Sequence, residues 1–202
     1  MSANAGDLFD PDLFTSADLD VWEAARARGA DARESVEALL RGLPRERRER
    51  FLQLNKESRG VWSLLFAARG GRALVVGSPL SGAVGPLAML GLEVVLVDLD
   101  ARRLVCAADL ALRQVPERPR GVVAQPHALP FRERAFDVVA CDVERVDDAL
   151  LAELRRVCAG ELFVALDNRL GYKRSSGRAW DLHVPGPVEY ALRVLHPSRG
   201  ER

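Results

Sequence analysis

The chain has 202 residues, 48% of them hydrophobic and 29% charged, and its 29 basic residues cancel its 29 acidic ones. That is enough chain for one main domain with a helical appendage and too little for two full-size domains. The charge balance leaves no electrostatic footprint for nucleic acid or an anionic membrane, and no apolar run reaches the roughly 18 to 20 residues that span a bilayer. The first twenty residues are acidic, unlike a secretory leader, so the expected location is cytoplasmic. Cys106, Cys141 and Cys158 are widely spaced in apolar or helical surroundings and read as buried packing residues, without a disulfide framework or metal site.

The first seventy residues read as a helical segment. Ser16 or Asp18 can cap a helix carrying Leu19, Val21, Trp22 and Ala25, which Gly29 ends. A second apolar stripe, Val36, Leu39 and Leu40, follows Asp31 and stops at Gly42, Leu43 and Pro44. A third helix starts at Pro44 with Phe51, Leu52 and Leu54, continues through Val61 to Phe66, and breaks at Gly70 and Gly71.

From Arg72 onward short apolar runs alternate with helical segments. The runs at 73–76, 93–97, 121–124, 136–141 and 161–166 predict strands, and helices are predicted around 82–90, 101–114 and 147–157. Strands rich in Val, Leu and Ala, without polar alternation, fit a parallel sheet covered on both faces. The expected fold is α/β, a Rossmann-like doubly wound sheet of about five parallel strands. Residues 171–202 break this rhythm and form an irregular tail, in which only Val188 to Leu195 has helical periodicity.

Strand one runs into Gly77, then Ser78, Pro79, Leu80, Ser81 and Gly82, and Asp98 closes strand two about twenty residues later. A glycine turn lets backbone approach a ligand, and a carboxylate at the end of the second strand can accept hydrogen bonds from two ribose hydroxyls. Alone, that pattern also fits a tight strand-to-helix turn and a capping aspartate. The stretch from Ala73 to Asp100, the pair Ala128-Leu129-Pro130-Phe131 and Ala135-Phe136-Asp137-Val138-Val139, and the segment Leu150 to Gly171 together resemble class I S-adenosylmethionine-dependent methyltransferases, of the type 11-like kind, over roughly residues 60–175.

The resemblance implies a domain from 71 to 170 that binds S-adenosylmethionine, with residues 1–70 on the lid or substrate side. Gly77, Ser78 and Pro79 would face the methionine part, Asp98 would bind the ribose and Leu99 would flank the adenine. Gln125 stands where the family places an acid near the adenine amine, with His127 and Ala128 nearby, and Asp142 would line the pocket floor near the methyl group. The acceptor would be a small molecule or a cell-surface metabolite; no catalytic residue stands out, and no metal site is expected.

Two departures bear on function. Pro79 and Ser81 replace the second and third glycines of the family's G-x-G-x-G turn, and proline has no N–H to offer. The family also adds antiparallel strands after strand five, and here these are expected to be missing through truncation, leaving an edge for the tail or a partner chain. A binding or partner module without turnover is the alternative reading. A nicotinamide-binding Rossmann protein is disfavoured because G-x-G-x-x-G is absent.

Overall fold

The computed structural model describes residues 12–55, 70–112, 115, 117–143, 146–167 and 190–195. Helices α1 (Ser16–Ala27), α2 (Ala32–Gly42) and α3 (Arg45–Leu54) precede the sheet. The N-cap of α1 is Thr15 rather than Ser16 or Asp18. The Asp18 carboxylate accepts from the Thr15 N–H at 2.8 Å and from its hydroxyl at 2.6 Å, so Asp18 works as the capping partner one turn in. Asp31 caps α2 by accepting from the Glu34 N–H at 2.8 Å. The continuation of the third helix through Val61 to Phe66 lies outside the described residues.

The sheet follows as β1 (Arg72–Gly77), α4 (Val84–Met89), β2 (Glu93–Asp98), α5 (Ala101–Ala111), β3 (Arg120–Val123), β4 (Phe136–Asp142), α6 (Asp148–Val157), β5 (Cys158–Asp167) and β6 (Tyr190–Leu195). Its order is β3-β2-β1-β4-β5-β6, with the first five strands parallel and β6 antiparallel to β5. The doubly wound parallel sheet expected from sequence is therefore present. Two expectations about the tail are corrected: Tyr190 to Leu195 is a strand rather than part of a helix, and one of the antiparallel strands expected to be missing is present; the tail covers the edge of β5, one of the two outcomes expected there. An open row of backbone donors and acceptors on β5 decides the outcome, because pairing satisfies them at a position where local periodicity is ambiguous.

Side chains alternate across the sheet into two buried layers. Val75, Leu96, Ala140 and Phe163 join the layer containing α4 and α5, and that same cluster takes in Leu13, Phe14, Trp22, Leu39 and Phe51 from the first three helices. Leu74, Val97, Val139 and Leu162 face the opposite way, with Leu150, Leu154 and Val157 of α6. The helical segment thus shares a core with the sheet. Ion pairs reinforce the contact, Arg102 at the start of α5 bonding Asp20 at 2.6 Å and Glu23 at 2.8 Å on α1, while Arg47 of α3 bonds Asp18 of α1 within the helical segment. Among the described residues no helix is long and apolar enough to cross a membrane.

Candidate cofactor site at the carboxyl edge of the sheet

Open doubly wound sheets bind ligands beyond the carboxyl ends of their strands, where the strand order reverses. In this chain that point lies between β1 and β4. Gly77, the last residue of β1, is in register with Asp142, the last residue of β4. It has φ +114°, and a Cβ there would stand 2.2 Å from the Asp142 carbonyl oxygen. Only glycine fits, both by conformation and by space. On the other side β2 pairs with β1 through Val75 and Leu96, so Asp98 ends at the level of Gly77.

The turn after Gly77 is packed against the helical segment. Ser78, Pro79, Leu80 and Ser81 are all buried, and Leu80, at 0% exposure, belongs to the core cluster. The end of α3 holds the turn through two hydrogen bonds: Asn55 Nδ2 donates to the Leu80 carbonyl at 3.0 Å, and the Gly82 N–H donates to the Leu54 carbonyl at 2.9 Å. Ser81 Oγ donates to Asp142 Oδ2 at 3.0 Å. Ser78 differs from these neighbours. Its hydroxyl is buried and has no hydrogen-bond partner among the described residues, a costly state unless a ligand satisfies it.

Asp98 is 1% exposed. Its Oδ1 accepts from the Asp100 N–H at 2.9 Å and its Oδ2 from Arg103 Nε at 3.1 Å, in an ion pair whose side chains are both buried. Burial pushes the carboxyl above its ordinary value, opposed by the Arg103 charge and the two hydrogen bonds. Asp100 itself caps α5 by accepting from the Arg102 N–H at 2.8 Å. Leu99, between the two aspartates, is 37% exposed, which leaves an apolar side chain at the surface beside a buried carboxylate.

The loop after β3 starts from Asp98 as well, since the Ala124 N–H donates to the Asp98 carbonyl at 3.1 Å. Gln125 and Ala128 are exposed, and the Ala128 N–H closes a turn on the Gln125 carbonyl at 3.1 Å. His127 is turned toward α6: its Nε2 lies 3.2 Å from Asp147 Oδ1, and Asp147 caps that helix through the Leu150 N–H at 2.8 Å. The rest of the loop is clamped by α6. Glu153 accepts from the Leu129 N–H at 2.6 Å, while Arg156 donates to the Phe131 carbonyl at 2.7 Å and the Leu129 carbonyl at 3.0 Å. Arg156 bonds Glu153 at 2.7 Å and, with the Leu129 N–H, holds its carboxyl below the usual glutamate range despite partial burial.

The structure therefore groups Gly77, Ser78 and Asp142 around the turn and ends β2 at the same edge with Asp98. Gln125, His127 and Ala128 lie on the neighbouring loop, and His127 is bonded to the α6 side of it. Sequence reasoning missed Arg103 and Asn55. Arg103 carried a signal, a cation on the stripe of α5 that also bears Leu104, Ala107 and Leu110, all buried; Asn55 carried none. Lys173 and Arg174, which follow β5 in the sequence, lie outside the described residues, as do Trp62, Trp180 and His183. An open cavity is lined by Asp31, Arg33, Asn55, Asp109 and Leu112, between the helical segment and α5. Its buried Asp109 is ion-paired with Arg118 at 2.8 Å and Arg26 at 3.5 Å.

A parallel β3-β2-β1-β4-β5 core with a reversed strand beyond β5 is a Rossmann-like, doubly wound α/β sheet. No family model matches the chain and no curated protein matches it. Solved structures do. YcgJ from Bacillus subtilis is 18% identical, with a TM-score of 0.47, over 55% of this chain and 50% of its own. A Bacillus halodurans protein described provisionally as a methyltransferase is 15% identical, with a TM-score of 0.49, over 59% of this chain and 54% of its own. Geranyl diphosphate C-methyltransferase from Streptomyces coelicolor, solved with Mg2+, geranyl diphosphate and S-adenosyl-L-homocysteine, is 16% identical, with a TM-score of 0.44, over 54% of this chain and 44% of its own. The chain spans about half the length of these proteins.

Proposed function

We propose that the carboxyl edge of the sheet binds S-adenosylmethionine and that the chain is the cofactor-binding core of a methyltransferase acting on a small-molecule or cell-surface-metabolite acceptor. The observation that carries this reading is the pairing of the obligate glycine turn at Gly77 with the carboxylate of Asp98 at the ends of adjacent strands. Supporting it, Ser78 offers a buried hydroxyl in need of a partner, and Leu99 leaves an apolar surface beside Asp98.

In this reading Asp98 accepts from the ribose hydroxyls, Leu99 covers one face of the adenine and the exposed Gln125 amide accepts from its amine, with His127 and Ala128 on the same loop. Gly77, Ser78 and Pro79 meet the methionine end, and Asp142 forms the floor near the methyl group, its orientation fixed by Ser81. The sulfonium of the bound cofactor supplies a methyl group on a good leaving group. What remains for the protein is to align the acceptor and exclude water, which needs no catalytic acid pair. Residues 71–170 carry the cofactor, and the helical segment, bonded to the turn through Leu54 and Asn55, stands on the acceptor side.

Titration calorimetry with S-adenosylmethionine tests the reading. Micromolar binding that Asp98→Ala weakens more than tenfold, about 1.4 kcal/mol, is the expected result. A folded chain that gives no heat overturns it. A second reading, a methyltransferase-like binding or partner module without turnover, is favoured by one observation: Leu80 of the altered turn is fully buried in the core, filling space beside the strand ends. That module would melt as a normal folded protein and ignore the cofactor.

A further inference from the structure

We propose that Arg103 sets the nucleoside affinity of this site by competing with the ribose hydroxyls for the Asp98 carboxylate. The inference rests on the cofactor reading above and adds to it a determinant of affinity that lies within the chain.

A ribose diol binds a carboxylate by donating from two hydroxyls, so it needs lone pairs on an accessible group. Asp98 is 1% exposed and both of its oxygens are engaged within six residues of chain: Oδ1 by the Asp100 N–H at 2.9 Å, Oδ2 by Arg103 Nε at 3.1 Å. The bond from the Asp100 N–H belongs to the turn that enters α5 and does not involve the Arg103 side chain. The Arg103 bond is the one of the two made by a side chain, which reaches Asp98 from the first turn of α5. Arg103 is always charged, and its ion pair with Asp98 is sheltered from water on both sides, with side chains 4% and 2% exposed. Each oxygen keeps a further lone pair, but on a carboxylate this deeply buried a nucleoside has to compete with the charge-assisted Arg103 contact for access to it. Its apparent affinity is reduced by the fraction of molecules in which Arg103 has withdrawn. The adjacent Arg102 is bonded outward to Asp20 and Glu23 of α1, so the start of α5 stays anchored while the Arg103 side chain moves.

The test is calorimetric titration with S-adenosylhomocysteine of the wild-type chain, Arg103→Met, and Arg103→Met combined with Asp98→Asn, each checked by its thermal transition. Expected is at least tenfold tighter binding in Arg103→Met than in wild type, with the gain abolished in the double variant. Equal or weaker binding in a folded Arg103→Met overturns the proposal and leaves the cofactor reading standing. No binding by either folded protein overturns the cofactor reading itself. Should Arg103→Met fail to fold, the 15N signal of the Arg103 Nε–H in the wild-type chain decides: a protected resonance that shifts and loses protection on saturation with S-adenosylhomocysteine supports displacement, and one that stays unchanged in the saturated protein overturns it.

Discussion

At Gly77 a single hydrogen atom in place of a side chain lets β1 and β4 end together. Gly77→Ala would set a methyl group against the Asp142 carbonyl at a backbone angle that L-residues rarely adopt, and β1 cannot retreat because it is registered against both neighbours. A loss of more than about 2 kcal/mol in denaturant unfolding is expected, together with loss of whatever ligand the turn holds. Glu153 makes a different kind of contribution. Its carboxyl is held below the usual range, so the folded state gains from it above the ordinary glutamate value near about 4.3 and loses that gain as pH falls through the lowered value. The gap in stability between wild type and Glu153→Gln should be about 1 kcal/mol near neutrality and should close on acidification below that range. A gap that stays constant down to acid pH would show that the charge of Glu153 does not clamp the Leu129 loop. Among the site residues, those defined by backbone demand were legible in the sequence: a glycine after a strand and an acid at the end of the next one. Arg103 was not, because a cation on a buried face acquires meaning only with its partner in view.

Helices and strands were legible where local chemistry and burial agree. Asp31, Asp100 and Asp147 mark helix starts that their side chains do cap, and the apolar runs of β1, β2, β4 and β5 carry both faces of the sheet. The tail shows the opposite case. Val188, Ala191, Leu192 and Leu195 fit a helical stripe, while Tyr190, Leu192 and Val194 equally fit strand alternation. Only the unpaired edge of β5, remote in sequence, separates the two. At this scale the contacts between helices differ in worth. The Arg102 pairs with Asp20 and Glu23 are exposed, and Arg102→Ala should leave the denaturation midpoint nearly unchanged. Phe51 is buried and stacked on Phe14 with ring centroids 5.6 Å apart, and Phe51→Ala should cost about 3 kcal/mol. Because Phe51 lies one turn before Leu54 and Asn55, that substitution should also loosen the turn after β1. Faster amide exchange at Gly82 than at β2 would be its signature, and unchanged exchange there would show that α3 does not hold the turn.

Over the whole molecule, the boundary near residue 70 that the sequence marks with two glycines does not separate two cores. Trp22, Leu39 and Phe51 share a buried layer with Val75, Leu96 and Phe163. Thermal unfolding followed by tryptophan fluorescence and by far-ultraviolet circular dichroism should therefore coincide in one transition; two separated midpoints would show that the helical segment and the sheet melt independently.

Cys106, Cys141 and Cys158 are all free and buried. They sit on α5, at the end of β4 and at the start of β5. Burial pushes the Cys106 thiol up to about 12 and raises the other two as well, so in the folded chain none of them is a competent nucleophile. Each sulfur becomes reactive only when the element that covers it opens. The chain thus has an internal clock for its own breathing: the order in which the three thiols are alkylated under native conditions gives the order in which α5, the centre of the sheet and its β5 side come apart. A ligand seated at the strand ends would slow Cys141, one residue from Asp142, more than either of the others.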